Sequence, residues 1–346
     1  MEDLCNELFY EIFTYLDVYH IYKSFYGLNQ RLESLLTNST VPLTINLSLI
    51  SKSAFQYYHR QILMPNKHRM TTLRLSHVFI PDLIFSPVRT ASDFARLETF
   101  IFDHGKSKYL PNILHHLSSL LHLTSIVIIP IDHISKSEEL YRAIFRLPVL
   151  KYCKISLGAR SKLSSPPLIS NVTSSIEHLV LDDHFDLHQL DVIFSCVPHL
   201  RRLSVQSLSQ SNLNLPGNLF ASTIDNLREF SVDRMSIPFH QFEQISNSLF
   251  TQLEVLHLSI NNDREYLDAK QWERVISFGM PKLRIFDFQH SAQIDTDMEL
   301  NQTLYDSLVE QFSSLFWMKR KWLFAYQRTV GLYRNQVFFY STNPYR

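Results

Sequence analysis

An apolar pattern recurs along most of this chain with a period near 27 residues. Each copy has apolar residues at positions i, i+3 and i+5, and the nine copies begin at Met70, Leu97, Leu123, Leu150, Ile176, Leu200, Leu227, Leu253 and Leu283. Each copy ends in an alternation of apolar and polar residues, which is typical of a strand with one buried face. Because a unit of this length buries too little apolar surface to fold alone, the repeats predict strands stacked side by side in a curved parallel sheet.

Several segments between these copies have helical spacing, namely 138–146, 187–196, 241–249 and 269–278. Pro148 and Pro198 follow the first two, and proline cannot continue a helix. The weakest helix is expected in 158–175, which is rich in serine and proline. Strand, turn and helix in each repeat predict an α/β fold, with the sheet inside and the helices outside.

Glycine is scarce, with 6 residues in 346, and no two glycines lie within 45 residues of each other. This spacing excludes glycine-rich phosphate loops and the G-x-S-x-G nucleophile elbow, which need clustered glycines. The 33 basic and 33 acidic residues cancel, so no global field attracts nucleic acid or an anionic membrane. We therefore expect neither as a partner.

The three cysteines are Cys5, Cys153 and Cys196, and they form no C-x-x-C pair. H-E-x-x-H is absent, the amino terminus is acidic, and no apolar run is long enough to span a bilayer. These features predict an intracellular protein, cytoplasmic or nuclear, without cofactor or metal. No catalytic residue stands out, and an enzyme would require a buried, convergent Ser/His/Asp group in a deep pocket.

The first forty residues predict two or three short amphipathic helices. Leu4, Leu8, Ile12 and Leu16 recur every four residues. A second apolar stripe contains Ile21, Phe25, Leu28, Leu32 and Leu36. Such short helices cannot enclose a large core, so part of this surface should contact something else. It either binds a partner or caps the open first edge of the sheet.

The spacing L-x-x-E-L-x-x-x-I-F-x-x-L is formed by Leu4, Glu7, Leu8, Ile12, Phe13 and Leu16. It continues with Ile21, Phe25, Leu28, Asn29, Arg31 and Leu32. This stretch resembles the F-box, although Cys5 stands where that motif usually has proline and a late tryptophan is missing. The resemblance implies binding to a Skp-type adaptor and, through it, to a cullin. The implied contact residues are Leu4, Cys5, Leu8, Ile12, Phe13, Leu16, Ile21, Phe25 and Leu28.

The repeats over 65–290 resemble the leucine-rich-repeat family. The asparagine or cysteine that the family has at i+8 is matched only by Asn261, so we expect an irregular solenoid. The whole chain also resembles F-box-like proteins that share its 6–10 start and its 339–344 ending. Together these resemblances imply a substrate-recognition subunit of a Skp–cullin–F-box ubiquitin ligase. The alternative is a leucine-rich-repeat interaction scaffold whose first helices only cap the solenoid.

The period ends after residue 290. Segment 299–316 predicts a helix, and the β-forming stretches 322–326 and 337–340 predict a hairpin. A helix and hairpin would cap the last strand, while the alternative is an aromatic peptide-binding surface. The predicted organisation is thus an F-box-like motif at 1–40, a repeat solenoid at 41–290 and a cap at 291–346.

Side chains at i+2, i+4 and i+6 of each repeat should lie on the concave face of the sheet. The candidate substrate-binding residues on this face are Arg74, Ile101, Val127, Ile129, Tyr152, Lys154, His178 and Arg202. Among them Ile101, Val127 and Ile129 predict an apolar patch on adjacent strands, with Tyr152 and Lys154 at its edge. Such a patch suits a protein substrate, unless the tail or a long loop covers it.

Overall fold

The computed structural model describes residues 4–16, 18–38, 43–47, 55, 58–76, 94–134, 137–157, 173–210, 226–294, 298–330 and 335–342. The chain forms two compact units. The first comprises Met1–Arg160 with Ser174–Ile176, and the second comprises Ser161–Thr173 with Glu177–Arg346. The boundary between them lies within the repeat region, between the fourth and fifth repeat strands.

Within its described residues, the first unit begins with three helices and continues with five parallel strands in chain order. The helices are α1 (Asn6–Tyr15), α2 (Val18–Phe25) and α3 (Gln30–Thr37). A π-helix (His59–Leu63), a short helix (Met64–Asn66) and a 3-10 turn (Lys67–Arg69) form what we call the 59–69 segment. The remaining elements are β1 (Leu43–Asn46), β2 (Met70–Leu75), β3 (Thr99–Asp103), α4 (Leu110–Leu117), β4 (Ser125–Ile129), α5 (Ser137–Phe145) and β5 (Tyr152–Ile155).

The second unit contains five parallel strands followed by an antiparallel hairpin. Its repeat elements are β6 (His178–Asp186), α6 (Leu187–Cys196), β7 (Arg202–Ser209), β8 (Glu229–Ser236), α7 (Phe239–Leu249), β9 (Val255–Asn261), α8 (Ala269–Gly279) and β10 (Ile285–Ile294). Helices α9 (Met298–Gln311) and α10 (Leu315–Arg320) lead into β11 (Phe324–Val330) and β12 (Asn335–Ser341). Strand β12 pairs with both β10 and β11.

The phase of the sequence pattern sets the strand register in each unit. In the first unit the i+3 residues Leu73, Phe100, Ile126 and Cys153 align directly across four strands, and all are fully buried. In the second unit the i+3 residues of β6 to β10 align in the same way. A shift of one residue would turn every apolar side chain to solvent, so burial selects this register.

The helices predicted between repeats are confirmed at α5, α6, α7 and α8. Helix α6 begins with a capping box, in which Asp186 accepts from the backbone N–H of Gln189 at 2.8 Å while the Gln189 side chain accepts from the N–H of Asp186. Asp268 caps α8 through the N–H groups of Lys270 and Gln271. Residues 158–172 of the predicted weak helix lie outside the described residues.

The helix predicted over 299–316 is confirmed as far as Gln311 and wrong beyond it, because the chain turns between Gln311 and Leu315. Phe312 and Trp317 are five positions apart, so one straight helix would direct them to different sides. The turn brings both rings against Phe324, with centroid distances of 4.6 and 5.2 Å. The predicted hairpin is confirmed, and it covers the edge of β10. Its Phe324 and Phe339 side chains are core residues, which argues against an aromatic peptide-binding surface.

Candidate functional site

Helices α1 to α3 enclose a small apolar core of their own, formed by Phe9, Phe13, Ile21, Leu32, Leu35 and Leu36. The half-buried Phe25 ring packs on those of Phe9 and Phe13, at centroid distances of 6.3 and 5.6 Å. Asn29 caps α3 by accepting from the N–H of Leu32 at 2.8 Å. These contacts fix which side of α1 faces outward.

The outward side of α1 presents an apolar row that we call the α1 face. It consists of Leu8, Ile12 and Tyr15, which are 43%, 36% and 82% exposed. Their spacing of four and three residues places them on one side of the helix. Tyr15 was missed in the sequence analysis, although its position seven residues after Leu8 marks it as a member of the same row. The α1 face is therefore a ridge that a partner could cover.

The nine residues implied as adaptor contacts separate into three groups. Cys5, Leu8, Ile12 and Leu28 are exposed, with Leu28 at 64%. Leu4, Leu16 and Phe25 are half-buried against the core of the motif. Phe13 and Ile21 are buried within that core, so in this conformation they support the outer residues from behind. They hold α1 and α2 together, which leaves the outer side chains to make any contact.

The opposite side of the three helices packs on the start of the sheet. Helix α2 contacts β1 and the 59–69 segment, and its Val18 is fully buried. The two competing roles of these helices, capping and partner binding, therefore use different sides. Leu8 and Ile12 are exposed, and Phe13 is buried in the core of the motif itself.

A polar network that we call the clasp joins the helices to the 59–69 segment. The buried Arg69 donates from Nη1 to the carbonyl of Leu36 at 2.7 Å and to Asn66 Oδ1 at 3.0 Å. Asn66 donates in turn to Tyr22 Oη at 3.0 Å and to the carbonyl of Ile62 at 2.7 Å. Burial lowers the pKa of the Arg69 guanidinium from its usual range. The clasp sets the orientation of the three helices relative to the strands that follow.

The sheet face of the first unit brings the predicted patch together. Arg74, Ile101, Val127 and Lys154 align across β2 to β5, while Ile129 lies beside Asp103 of the neighbouring strand. Ile101, Val127 and Ile129 are half-buried, as are Tyr152 and Lys154. The predicted adjacency of the three aliphatic residues is confirmed. Their side chains are only partly accessible to solvent.

Asp103 is the i+6 residue of its repeat, a position predicted to lie on the concave face, but its side chain is buried. Its carboxylate forms an ion pair with Arg74 and also contacts His104 Nδ1. Arg74 is thus held at one end of the Ile101–Val127 row by a carboxylate. A ligand on this face would therefore contact aliphatic side chains beside the Arg74–Asp103 ion pair, whose two charges neutralise each other.

The corresponding face of the second unit is polar and internally paired. Arg202 forms an ion pair with Glu229 at 3.4 Å, and His178 stands opposite Arg202 in the register. Burial, with a smaller contribution from Arg202, lowers the pKa of His178. His257 Nδ1 lies 2.9 Å from Asp287 Oδ2. That pair was missed in the sequence analysis, although both residues occupy the i+4 position of consecutive repeats.

Ser231 aligns with His257, and His257 with Asp287, so the three occupy one row across β8, β9 and β10. The row lies on a sheet face, where the backbone N–H groups of an interior strand bond to its neighbours. Such a surface supplies no free pair of N–H groups to stabilise an oxyanion. The row gives no support to a hydrolase.

In the part of the chain that the structure describes, no group of three or more His, Cys, Asp or Glu side chains is placed to hold a metal ion. No helix in that described part combines the length and apolar character needed to cross a bilayer. No protein-family model matches this chain, and no curated protein matches it significantly.

Proposed function

We propose that this protein is a non-enzymatic substrate-recognition adaptor that docks on a Skp-type adaptor through the α1 face. The observation that carries the proposal is the outward apolar row on α1, combined with the clasp on the opposite side. A solvent-facing row of Leu8, Ile12 and Tyr15 suits helix packing against a partner groove. The clasp would hold whatever the repeats bind at a fixed orientation to that partner. The transfer of ubiquitin would be catalysed by other subunits of the cullin complex.

The repeats would form an irregular leucine-rich-repeat solenoid that holds a protein substrate. Support comes from the parallel strands within each unit and from the match between pattern phase and register. In the first unit, the Ile101, Val127 and Ile129 patch would receive an apolar segment of the substrate, with Tyr152 and Lys154 at its rim. The polar face of the second unit, with His178 and Arg202, would help to orient a bound substrate through polar contacts.

Binding of the purified full-length chain to a purified Skp-type adaptor, measured by calorimetry, tests the proposal. Leu8→Asp and Ile12→Asp should each weaken binding at least about 100-fold, because an unpaired carboxylate would be buried at the interface. Ser24→Asp adds the same charge at an exposed position of α2 and serves as the matched control. Circular dichroism verifies that all three variants remain folded. No binding by the unmodified chain, or equal loss in the control, would refute the docking role.

The second candidate function is an interaction scaffold whose helices only cap the sheet. The packing of α2 on β1 favours it, because this contact caps the sheet without any partner. Under this function Leu8→Asp and Ile12→Asp leave every interaction of the repeats unchanged, and the Skp-type adaptor does not bind. The same calorimetry therefore separates the two candidates.

A further inference from the structure

Among the strands of the described residues, β11 is the last in the sheet order of the second unit, with β12 on its inner side. The N–H of Thr342 donates to the carbonyl of Leu323 at 2.7 Å, which makes these two a hydrogen-bonded pair. Backbone groups alternate in direction along an antiparallel strand. Residues 325, 327 and 329 therefore bond to β12, whereas 324, 326, 328 and 330 direct their N–H and C=O groups outward. That outer side can form a further ladder.

The two faces of β11 carry different side chains. Tyr326 and Arg328 lie on one face of the strand, with the Arg328 guanidinium 5.8 Å from the Tyr326 ring centroid. The Tyr326 hydroxyl donates to Asp306 Oδ1 of α9 at 2.8 Å, and Asp306 is exposed. Gln327 and Thr329 are exposed on the other face and carry no charge. Arg328 is half-buried, with Nε and Nη2 out of solvent, and it lies two residues away from the tyrosine–carboxylate pair.

We propose that β11 pairs antiparallel with β11 of a second copy of this chain, around a two-fold axis at Gln327. In this register all four outward positions bond, because 324 stands opposite 330 and 326 stands opposite 328. Arg328 of each copy then faces Tyr326 of the other, next to the carboxylate of Asp306. The two Gln327 residues meet on the axis as a non-hydrogen-bonded pair.

Neighbouring registers are worse on physical grounds. Centring the axis on Arg328 places two guanidinium groups directly opposite each other, and like charges so placed are destabilising. Centring it on Tyr326 leaves position 330 without a bonding partner and removes Arg328 from the tyrosine–carboxylate pair. A two-fold arrangement also closes, so it forms dimers instead of open fibres. An unrelated extended peptide could also hydrogen-bond to the outer backbone groups of β11. Its charges would not be complementary to Arg328 and Asp306 except by chance.

Site-specific disulfide formation tests this register in the full-length chain, with the exposed Cys5 replaced by serine. Cα atoms of a non-hydrogen-bonded pair are about 4.5 Å apart, a distance that a disulfide spans. Gln327→Cys should therefore give a covalent dimer under mild oxidation. Thr329→Cys is the matched control, because its two copies would lie about 13 Å apart along the strands. Monomeric Gln327→Cys protein, or equal cross-linking of the two variants, would overturn the proposal.

Sedimentation of the unmodified chain provides the second measurement. We expect a concentration-dependent dimer, and Arg328→Glu should weaken it about 10-fold or more, since a carboxylate would then face Asp306 of the other copy. The double variant Asp306→Arg, Arg328→Glu should restore the dimer. Lys319→Glu, an equal charge change at an exposed site of α10, should have no effect. A monomer at all concentrations up to about 100 μM would overturn the proposal and would leave the edge to a peptide of another protein.

Discussion

Arg69→Met is expected to loosen the three amino-terminal helices from the sheet. The substitution keeps an apolar chain of similar length but removes both donations from Nη1, to the Leu36 carbonyl and to Asn66. A buried hydrogen bond from a charged donor contributes about 1.5–3 kcal/mol, and removal of the buried charge offsets part of the loss. We therefore expect about 3 kcal/mol less free energy for opening the α2 and α3 region.

Amide hydrogen exchange, resolved by peptide, measures this opening directly. A loss of about 3 kcal/mol corresponds to exchange about 100-fold faster in peptides covering α2 and α3. Arg60→Met is the matched control, because Arg60 lies in the same 59–69 segment but is exposed, and surface changes of this kind stay within about 0.5 kcal/mol. Equal exchange in the two variants would refute the structural role that we give to the clasp.

Three further predictions concern the core and the caps. His290 Nε2 lies 3.0 Å from the Asp263 carbonyl, and burial lowers the pKa of His290. Because the unfolded state then binds more protons than the folded state, the free energy of unfolding should fall as pH drops below about 6.5. His290→Gln should flatten that part of a denaturation profile measured between pH 5 and 7. Gly105→Ala would place a methyl group against the buried Phe102 ring and should lower the free energy of unfolding by about 1–3 kcal/mol in urea titrations. Asp186→Ala should cost about 1 kcal/mol in the same assay, through loss of the α6 capping box.

The amino-acid pattern alone predicted the repeat strands β2 to β10, their order within each unit and the alignment of their i+3 residues, although it did not predict β1. It did so because an apolar alternation at i+3 and i+5 can be buried in only one phase, as the aligned Leu73, Phe100, Ile126 and Cys153 demonstrate. It also predicted the hairpin, since two β-forming stretches flank a short turn region.

Packing between segments distant in the sequence selects which apolar residues of the first helices stay exposed. Leu8 and Phe13 both fit a helical stripe, and the packing of α2 and α3 selects Phe13 for the core. The helix break after Gln311 likewise depends on tertiary contacts, because the turn allows the Phe312 and Trp317 rings both to pack against Phe324. Arg69 looks like a surface residue in the sequence, and its burial becomes favourable only when chain segments distant in sequence supply its acceptors. The local periodicity of apolar residues shows which residues can be buried together. Which of several similar apolar helix faces is buried depends on contacts between segments far apart in the chain.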